Sequence, residues 1–368
     1  MLKARYTMIG GFLGAGKTTA ILAIAKRLTD QGLRVGLISN DQSVGLVDTT
    51  MFGAQGLATE EISGGCFCCK FDSLVQASER LTADASPNVF LAEPVGSCTD
   101  LQATVGYPLR KLYGEHFNVS PLSVLVDPIR AQRILGLLEG KSFSPKVSYI
   151  YCKQLEEADL IVINKCDLLE ESDLDELQRE LEQRFPQSEV LRISARHGDG
   201  LDQWMDRMEQ EGPATRKIMD VDYDIYAEGE ALLGWVNVSA TLTGDDLDGN
   251  ALLHELLTSI NQQLNEQSIE VAHLKATLAP SEGLDLAVAN VVRQASEVEL
   301  AYELNAPIAA GQLLVNLRAE GDPQDLKSIV EDELQKVSSK FSANSEIRHA
   351  EAFRPAPPQP THRVTCAD

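Results

Sequence analysis

The sequence predicts an α/β protein. A doubly wound, mostly parallel sheet with helices on both faces is followed by a smaller α+β domain of split βαβ, ferredoxin-like type. From residue 4 to about 212, short β-rich runs alternate with amphipathic helical stretches, the order that buries a parallel sheet between helix layers. The runs "VFLAE" and "DLIVIN" are continuously apolar rather than alternating, as strands covered on both faces must be. After "EQEGPATRK" the chain turns to alternating strands and two long helices in β-α-β-β-α-β order. The expected division is residues 1–212, 213–353 and a proline-rich tail, 354–368, of disordered composition.

In the first domain the expected strands are "ARYTMIG", "LRVGLIS", "PNVFLAE", "PLSVLVD", "ADLIVIN" and "EVLRISA". "ESDLDELQRELEQRF" is a helix with Leu174, Leu177 and Leu181 on one face. In the second, "LLGWVNVSATLTG", "VAHLKATLAP", "LDLAVANVVR", "GQLLVNLRAEG" and "SEIRHAEAF" read as strands, with a further strand near 296–304 unassigned. "GNALLHELLTSINQQLNEQ" and "DPQDLKSIVEDELQKVSSKF" are the helices, and their acidic residues read as solvated faces.

Composition narrows the function. The 368 residues, 43% apolar, are enough for two cores. Thirty-two basic against 55 acidic residues give a formal charge of −23, which repels phosphate backbones and anionic lipid, so nucleic acid and membrane surfaces are not expected partners. No apolar run approaches the ~18 residues that cross a bilayer, and glycines and Lys17 break up the N-terminal run before any leader-like cleavage site. A cytoplasmic protein with reduced thiols is expected.

Gly11-Phe12-Leu13-Gly14-Ala15-Gly16-Lys17-Thr18 fits G-x-x-x-x-G-K-[ST] between an expected strand and an expected helix. Such a loop turns successive backbone N–H groups onto phosphate oxygens, from Gly11, Gly14, Ala15 and Gly16 through Thr19. Lys17 would neutralise the β/γ-phosphates and the Thr18 hydroxyl would ligate Mg²⁺. Asn164, Lys165 and Asp167 form N-K-x-D at the end of "IVINKCD". A carboxylate there accepts two hydrogen bonds from guanine N1–H and the exocyclic amine, a donor pair adenine lacks, so GTP is favoured over ATP. In "ISARHG", Ser194 and the Ala195 N–H stand where guanine O6 would lie, and Cys166 and His197 read as neighbours of the base.

Two segments lie where a γ-phosphate would be sensed. "LISNDQSVGLVD" brings Asn40, Asp41 and Asp48 to the carboxyl edge of the sheet, with Asp41 the candidate for a Mg²⁺ or water contact. "LAEPVGSCTD" ends a strand with Glu93 and Gly96, an E-x-x-G: Glu93 to hold a magnesium-bound or attacking water, the Gly96 N–H to meet phosphate. With Lys17, Glu93 and Asp41 are the expected catalytic residues.

Between these segments stands "GGCFCC", with Cys66, Cys68 and Cys69. Three thiolates suit Zn²⁺ or Cu⁺ and leave a fourth tetrahedral position. Adjacent Cys68 and Cys69 share a metal only if the chain turns, and Gly64 and Gly65 permit a turn. Cys66 and Cys69 also make a C-x-x-C, so thiol–disulfide switching competes. Cys98, Cys152, Cys166 and Cys366 are scattered without framework spacing and read as ordinary small residues; His254 and His273 have no partners at ligand spacing.

Together "GGFLGAGKTT", "GGCFCC", "EPVG" and "NKCD", in that order, resemble the CobW-like P-loop GTPases of the CobW/HypB/UreG family, over about residues 4–212. The resemblance implies a GTP-dependent metallochaperone carrying zinc, cobalt or another transition metal to a recipient metalloprotein or cofactor-dependent enzyme, with nucleotide-linked dimerisation common in the class. By position it implies Gly14, Gly16, Lys17 and Thr18 for GTP and Mg²⁺, Glu93 as switch glutamate, Asn164, Lys165 and Asp167 for guanine, and Cys66, Cys68 and Cys69 for metal. The chain departs from the family pattern in "NDQS" after the second strand, in Gly64-Gly65 before the cysteines, and in lacking a histidine-rich stretch. Two further classes stay open: a thiol-redox or metal sensor with bound nucleotide, and a GTPase chaperone of an enzyme without metal transfer.

Overall fold

The structure, a computed structural model, describes residues 3–40, 56–212, 218–283, 285–292 and 297–365. Asp41 and Asp48, expected beside the γ-phosphate, and Cys366 lie outside the described residues. The chain divides into two compact units: one runs to Gly229 and takes in the stretch from Pro357, the other holds Glu230–Ala356. The expected boundary was residue 212. The described residues from Ile218 to Gly229 join the first unit because Tyr223 Oη donates to Asp100 Oδ2 (2.7 Å) and Tyr226 Oη accepts from Thr99 N–H (3.2 Å).

The first unit is built on β1 (Ala4–Gly11), β2 (Val35–Asn40), β3 (Ala58–Ile62), β4 (Val89–Glu93), β5 (Phe117–Val119), β6 (Ser123–Val126), β7 (Leu160–Ile163) and β8 (Glu189–Arg192). They pair in the order β3-β2-β4-β1-β6-β7-β8, every pair parallel. β5 lies beside the start of β1 on the edge that β6 takes further along. The six expected strands are all present, and β2, β4, β6 and β7 are buried at every residue, which is why their sequences are apolar without alternation. The helix Lys17–Asp30 buries Ala20, Ile21, Ile24, Ala25 and Leu28. Glu171–Arg184 buries Leu174, Leu177 and Leu181, the face its spacing predicts.

The second unit is one antiparallel sheet of β9 (Leu233–Leu247), β10 (Val271–Pro280), β11 (Ala287–Val291), β12 (Glu299–Tyr302), β13 (Ile308–Glu320) and β14 (Asn344–Phe353). Its order is β12-β11-β10-β13-β9-β14. The central run β10-β13-β9-β14, with helices Gly249–Glu266 and Pro323–Lys340 crossing between its strands, is the split βαβ arrangement. β11 and β12 extend one edge, and β12 is the strand left unassigned near 296–304. Both helices begin on an aspartate that accepts a backbone N–H, Asp248 from Ala251 and Asp322 from Gln324. Their apolar faces, among them Leu253, Leu257, Val330 and Leu334, close the core over the sheet. No helix among the described residues is long and apolar enough to cross a membrane.

Candidate functional site

The glycine loop leaves the carboxyl end of β1, the strand at the middle of the parallel sheet. Gly11 has φ +128°, and a Cβ there would lie 2.4 Å from Leu125 O, so glycine is required for the loop to clear β6. Gly16, at φ +88°, caps the helix that opens at Lys17; a Cβ on it would meet Asn164 Nδ2 at 2.5 Å. The loop is thus folded against the residues expected to hold the base. Thr19 is exposed on the first helical turn, whereas Lys17 and Thr18 are buried.

Lys17 Nζ donates to Gly11 O (3.0 Å) and stands 3.9 Å from Glu93 Oε1. Thr18 Oγ1 donates to the same carboxylate oxygen at 3.2 Å. The ends of β1 and β4 therefore bring a lysine, a hydroxyl and a buried carboxylate together, a donor set that suits a hard cation beside phosphate. Gly96, three residues past Glu93, packs against the glycine loop so closely that a Cβ would sit 2.7 Å from Leu13 Cδ2 and 3.0 Å from Leu13 N.

The N-K-x-D residues are bound to the loop as well. Asn164 Nδ2 donates to Ala15 O (2.9 Å), and Asn164 Oδ1 accepts from Ala195 N–H (3.1 Å). Lys165, at φ +57°, sends Nζ to Gly14 O (2.8 Å) and to Asp127 Oδ2 (2.9 Å). Asp167 is part-exposed, 3.7 Å from His197 Nε2, and Ser194 Oγ accepts from His197 N–H at 3.3 Å. Asn164, Lys165 and Ala195 are therefore joined to the loop, while Asp167 is left for a ligand or for His197.

Two supports were missed in the sequence. Asp127 caps the helix Pro128–Leu135 and pairs with Lys165; its signal is an aspartate at a strand end followed by proline, "VLVDP". Arg130 is buried, donates to Leu13 O, and lies over the rings of Phe12 (5.6 Å) and Phe143 (5.3 Å). No local pattern marks it, because its partners lie far away in sequence.

The cysteines converge. Gly64 (φ +76°) and Gly65 (φ +150°) turn the chain after β3, and Cys69 and Lys70 N–H both return to Cys66 O at 3.0 Å. This helical turn, running into the helix Phe71–Ala85, resolves the problem of two adjacent cysteines facing opposite ways. The sulfurs lie 2.7 Å (Cys66–Cys68), 3.2 Å (Cys66–Cys69) and 3.7 Å (Cys68–Cys69) apart. Hydrogen bonds from Cys68, then Cys69 and Cys98, hold the Cys66 thiol well below the ordinary cysteine range. Donation to Cys66, together with burial, pushes Cys68 up. Cys98, read from sequence as an ordinary small residue, is buried on the loop after β4 and is not among the sulfurs that converge. Cys152 and Cys166 are not among the groups that converge.

Asn40, closing β2, fixes the turn by donating Nδ2 to Ile62 O (2.9 Å) and Gly65 O (2.7 Å). The tail expected to be disordered also reaches these cysteines. Thr361 N–H and Oγ1 donate to Cys68 O (2.8 Å) and Cys69 O (3.2 Å), and Gln359 N–H donates to Cys69 Sγ (3.1 Å). Arg363 Nε pairs with the buried Asp100 at 2.7 Å, and the His362 ring meets Phe71 edge-on at 4.9 Å. Composition misses this because the tail's partners are carbonyls and a sulfur of the first unit, with no core of its own.

These features define a class, a nucleotide-binding domain of the P-loop GTPase type with a thiol cluster at the same carboxyl edge of the sheet as the nucleotide loop. Within it, the chain belongs to the CobW/HypB/UreG family, whose nucleotide-binding domain matches residues 5–192. Among curated proteins it is similar to the zinc chaperone YeiR of Escherichia coli K12, 29% identical over 202 residues, 53% of this chain and 56% of that protein. It is also similar to the zinc chaperone CobW of Sinorhizobium sp, 26% identical over 215 residues, 52% and 59% of the two chains. The chain thus spans somewhat over half the length of these relatives. Among solved structures it is similar to HypB from Helicobacter pylori in complex with nickel, with TM-score 0.43 and 14% identity over 58% of this chain and 91% of that one.

Proposed function

We propose that this protein is a GTP-binding and GTP-hydrolysing metallochaperone that couples nucleotide state to the binding and delivery of a transition metal, zinc or cobalt, to a recipient protein. The observation that carries the reading is the convergence of Cys66, Cys68 and Cys69 on a turn pinned to the end of β2 by Asn40, at the sheet edge that also carries the nucleotide loop, in a family that includes zinc chaperones. Three sulfurs packed this closely are soft donors for Zn²⁺ or Co²⁺. The hydroxyl of Thr18 and the carboxylate of Glu93, already in contact, fit Mg²⁺, which would neutralise phosphate charge when bound. Lys17 would bind the β/γ-phosphates, Glu93 would orient the attacking water, Gly96 N–H would meet the γ-phosphate, and Asp167 would read guanine.

Hydrolysis would be slow without a partner, on the order of 10⁻⁴ to 10⁻³ s⁻¹, as for GTPases that lack an arginine finger. Metal affinity is to be measured by competition with a chromophoric chelator under GTP-Mg²⁺, GDP-Mg²⁺ and no nucleotide. A difference of at least tenfold between states is expected, about 1.4 kcal/mol of coupling. Equal affinity in every state would remove the basis for nucleotide-driven delivery. Unchanged GTP turnover in Lys17→Ala would remove the basis for hydrolysis at this loop.

A further inference from the structure

We infer that residues 357–365 occupy in cis the docking groove for an extended, basic segment of the recipient protein, so that the tail is a displaceable placeholder over the thiol cluster. The inference rests on the metal-delivery reading above and names where the recipient engages. The groove runs from the cysteine turn, past the helix Phe71–Ala85, to the loop after β4. Along it Gln359 N–H donates to Cys69 Sγ, Thr361 N–H and Oγ1 to Cys68 O and Cys69 O, and Val364 N–H to Ala103 O at 2.9 Å. Arg363 gives Nε to Asp100 Oδ2 and Nη2 to Met219 O (3.4 Å). In each of these bonds the tail is the donor. The groove therefore selects backbone N–H groups and one cation, which any extended basic chain supplies, and makes little use of other side chains.

The far end of the groove has acceptors to spare. Asp100 is 1% exposed and holds φ +65°, a left-handed conformation unfavourable for a residue with a Cβ. Its Oδ2 accepts from both Arg363 and Tyr223. Its Oδ1, and Oε1 of the buried Gln102, have no hydrogen-bond partner among the described residues. Both residues line a small cavity with Tyr107, Glu157 and Met219, and Glu157 is itself an acceptor, from Gln102 N–H at 3.0 Å. A buried acceptor without a donor costs stability, and a buried carboxylate is best matched by a cation. The single arginine of the tail thus fills this end incompletely, and a segment that brings a further donor outbinds it.

The tail is held at its edge rather than by a core. Pro357, Pro358 and Pro360 keep it extended, Gln359 and Thr361 are exposed, and the Arg363 side chain is part-exposed. The Gln359 N–H rests on the sulfur of a proposed metal ligand, so the segment that covers the groove also covers the cluster. Displacement by a recipient uncovers the thiolates when an acceptor for the metal is already in place.

The test is fluorescence anisotropy with a labelled peptide of residues 356–365, titrated with the full zinc-loaded chain as wild type, Arg363→Glu and Thr361→Pro. A tethered tail competes at an effective concentration on the order of millimolar, so wild type should bind the peptide weakly and both variants at least tenfold more tightly. A peptide carrying Arg363→Glu should lose binding to every chain. Thermal unfolding identifies a variant that does not fold, and the other is then decisive; if neither folds, the two peptides on wild type decide. Equal peptide affinity in wild type and folded variants, or a charge-reversed peptide that binds as well as the native one, overturns the inference and leaves the proposed function standing. Failure of the chains to retain zinc overturns both. In sedimentation, a wild-type dimer that the peptide dissociates would identify the occupant as the tail of a second copy and overturn the assignment to a recipient.

Discussion

Replacing Lys165 by methionine keeps the aliphatic stem and deletes the ammonium that ties the guanine box to the phosphate loop. That ammonium donates to Gly14 O at 2.8 Å and Asp127 Oδ2 at 2.9 Å, and Asp127 is buried while the lysine is about a quarter exposed. Charge-assisted bonds contribute about 1.5–3 kcal/mol each, and partial exposure places these two at the lower end, so about 3 kcal/mol in all. If the bonds hold the loop in its phosphate-binding shape, the GDP dissociation constant should rise roughly 150-fold. The assay is displacement of a fluorescent guanine nucleotide by GDP and, at higher concentration, by guanosine. A brace on the loop makes GDP lose much more than guanosine, whereas a lysine that only covers the base makes both lose equally. Equal losses, or a GDP affinity within about threefold of wild type, would refute the reasoning.

Asp167→Asn should lower GTP affinity by about two powers of ten, from lost charged hydrogen bonds, and restore binding to the xanthosine analogue, whose C2 carbonyl accepts from the new amide; competition binding with both nucleotides checks it. Glu157 is fully buried and its carboxyl is pushed well above the ordinary range by burial, so the protonated form favours the fold: stability is greatest below the usual carboxylate pKa and is lost as pH rises through the raised one. Glu157→Gln should therefore raise Tm more at about pH 8 than at about pH 5, with Asp100, raised likewise by burial, leaving a residual slope; equal gains at both would contradict the sign. Removing residues 357–368 strips the Thr361 and Gln359 contacts from Cys68 and Cys69, and zinc transfer to a chelator should speed up about tenfold if the tail must open before release; stopped-flow transfer at an unchanged rate would show that it need not.

What the sequence revealed follows the range of the forces involved. The glycine loop, N-K-x-D and the three clustered cysteines are local patterns, and the buried strands β2, β4, β6 and β7 betray themselves by continuous apolarity. β3 escaped because "ATEEI" is a polar edge strand, only partly buried, and β5 because it has three residues. Arg130 under Leu13, Gln154 under Gly96 and Cys98, and Thr361 over Cys68 escaped for another reason. Each is a polar group satisfying a backbone carbonyl far off in the chain, and a single sequence has no periodicity that reports such a pair.

Those long-range contacts are also where coupling between the proposed nucleotide and metal sites would reside. Gly96 packs against Leu13 of the nucleotide loop, Thr18 is hydrogen-bonded to Glu93, and Asn40 is hydrogen-bonded to the turn before Cys66. A tenfold change in metal affinity between nucleotide states needs about 1.4 kcal/mol, which is no more than one charge-assisted hydrogen bond made in one state and absent in the other. No large rearrangement is required: a shift at the end of β2, where Asn40 holds the turn before Cys66, that lengthens a single metal–sulfur contact is enough. Linkage then makes the effect mutual, so an ion seated on the cysteine sulfurs must bias the same contacts toward the nucleotide state that seats it best. A nucleotide-dependent metal affinity and a metal-dependent nucleotide affinity would thus be two measurements of one free energy, and they must agree in sign and size.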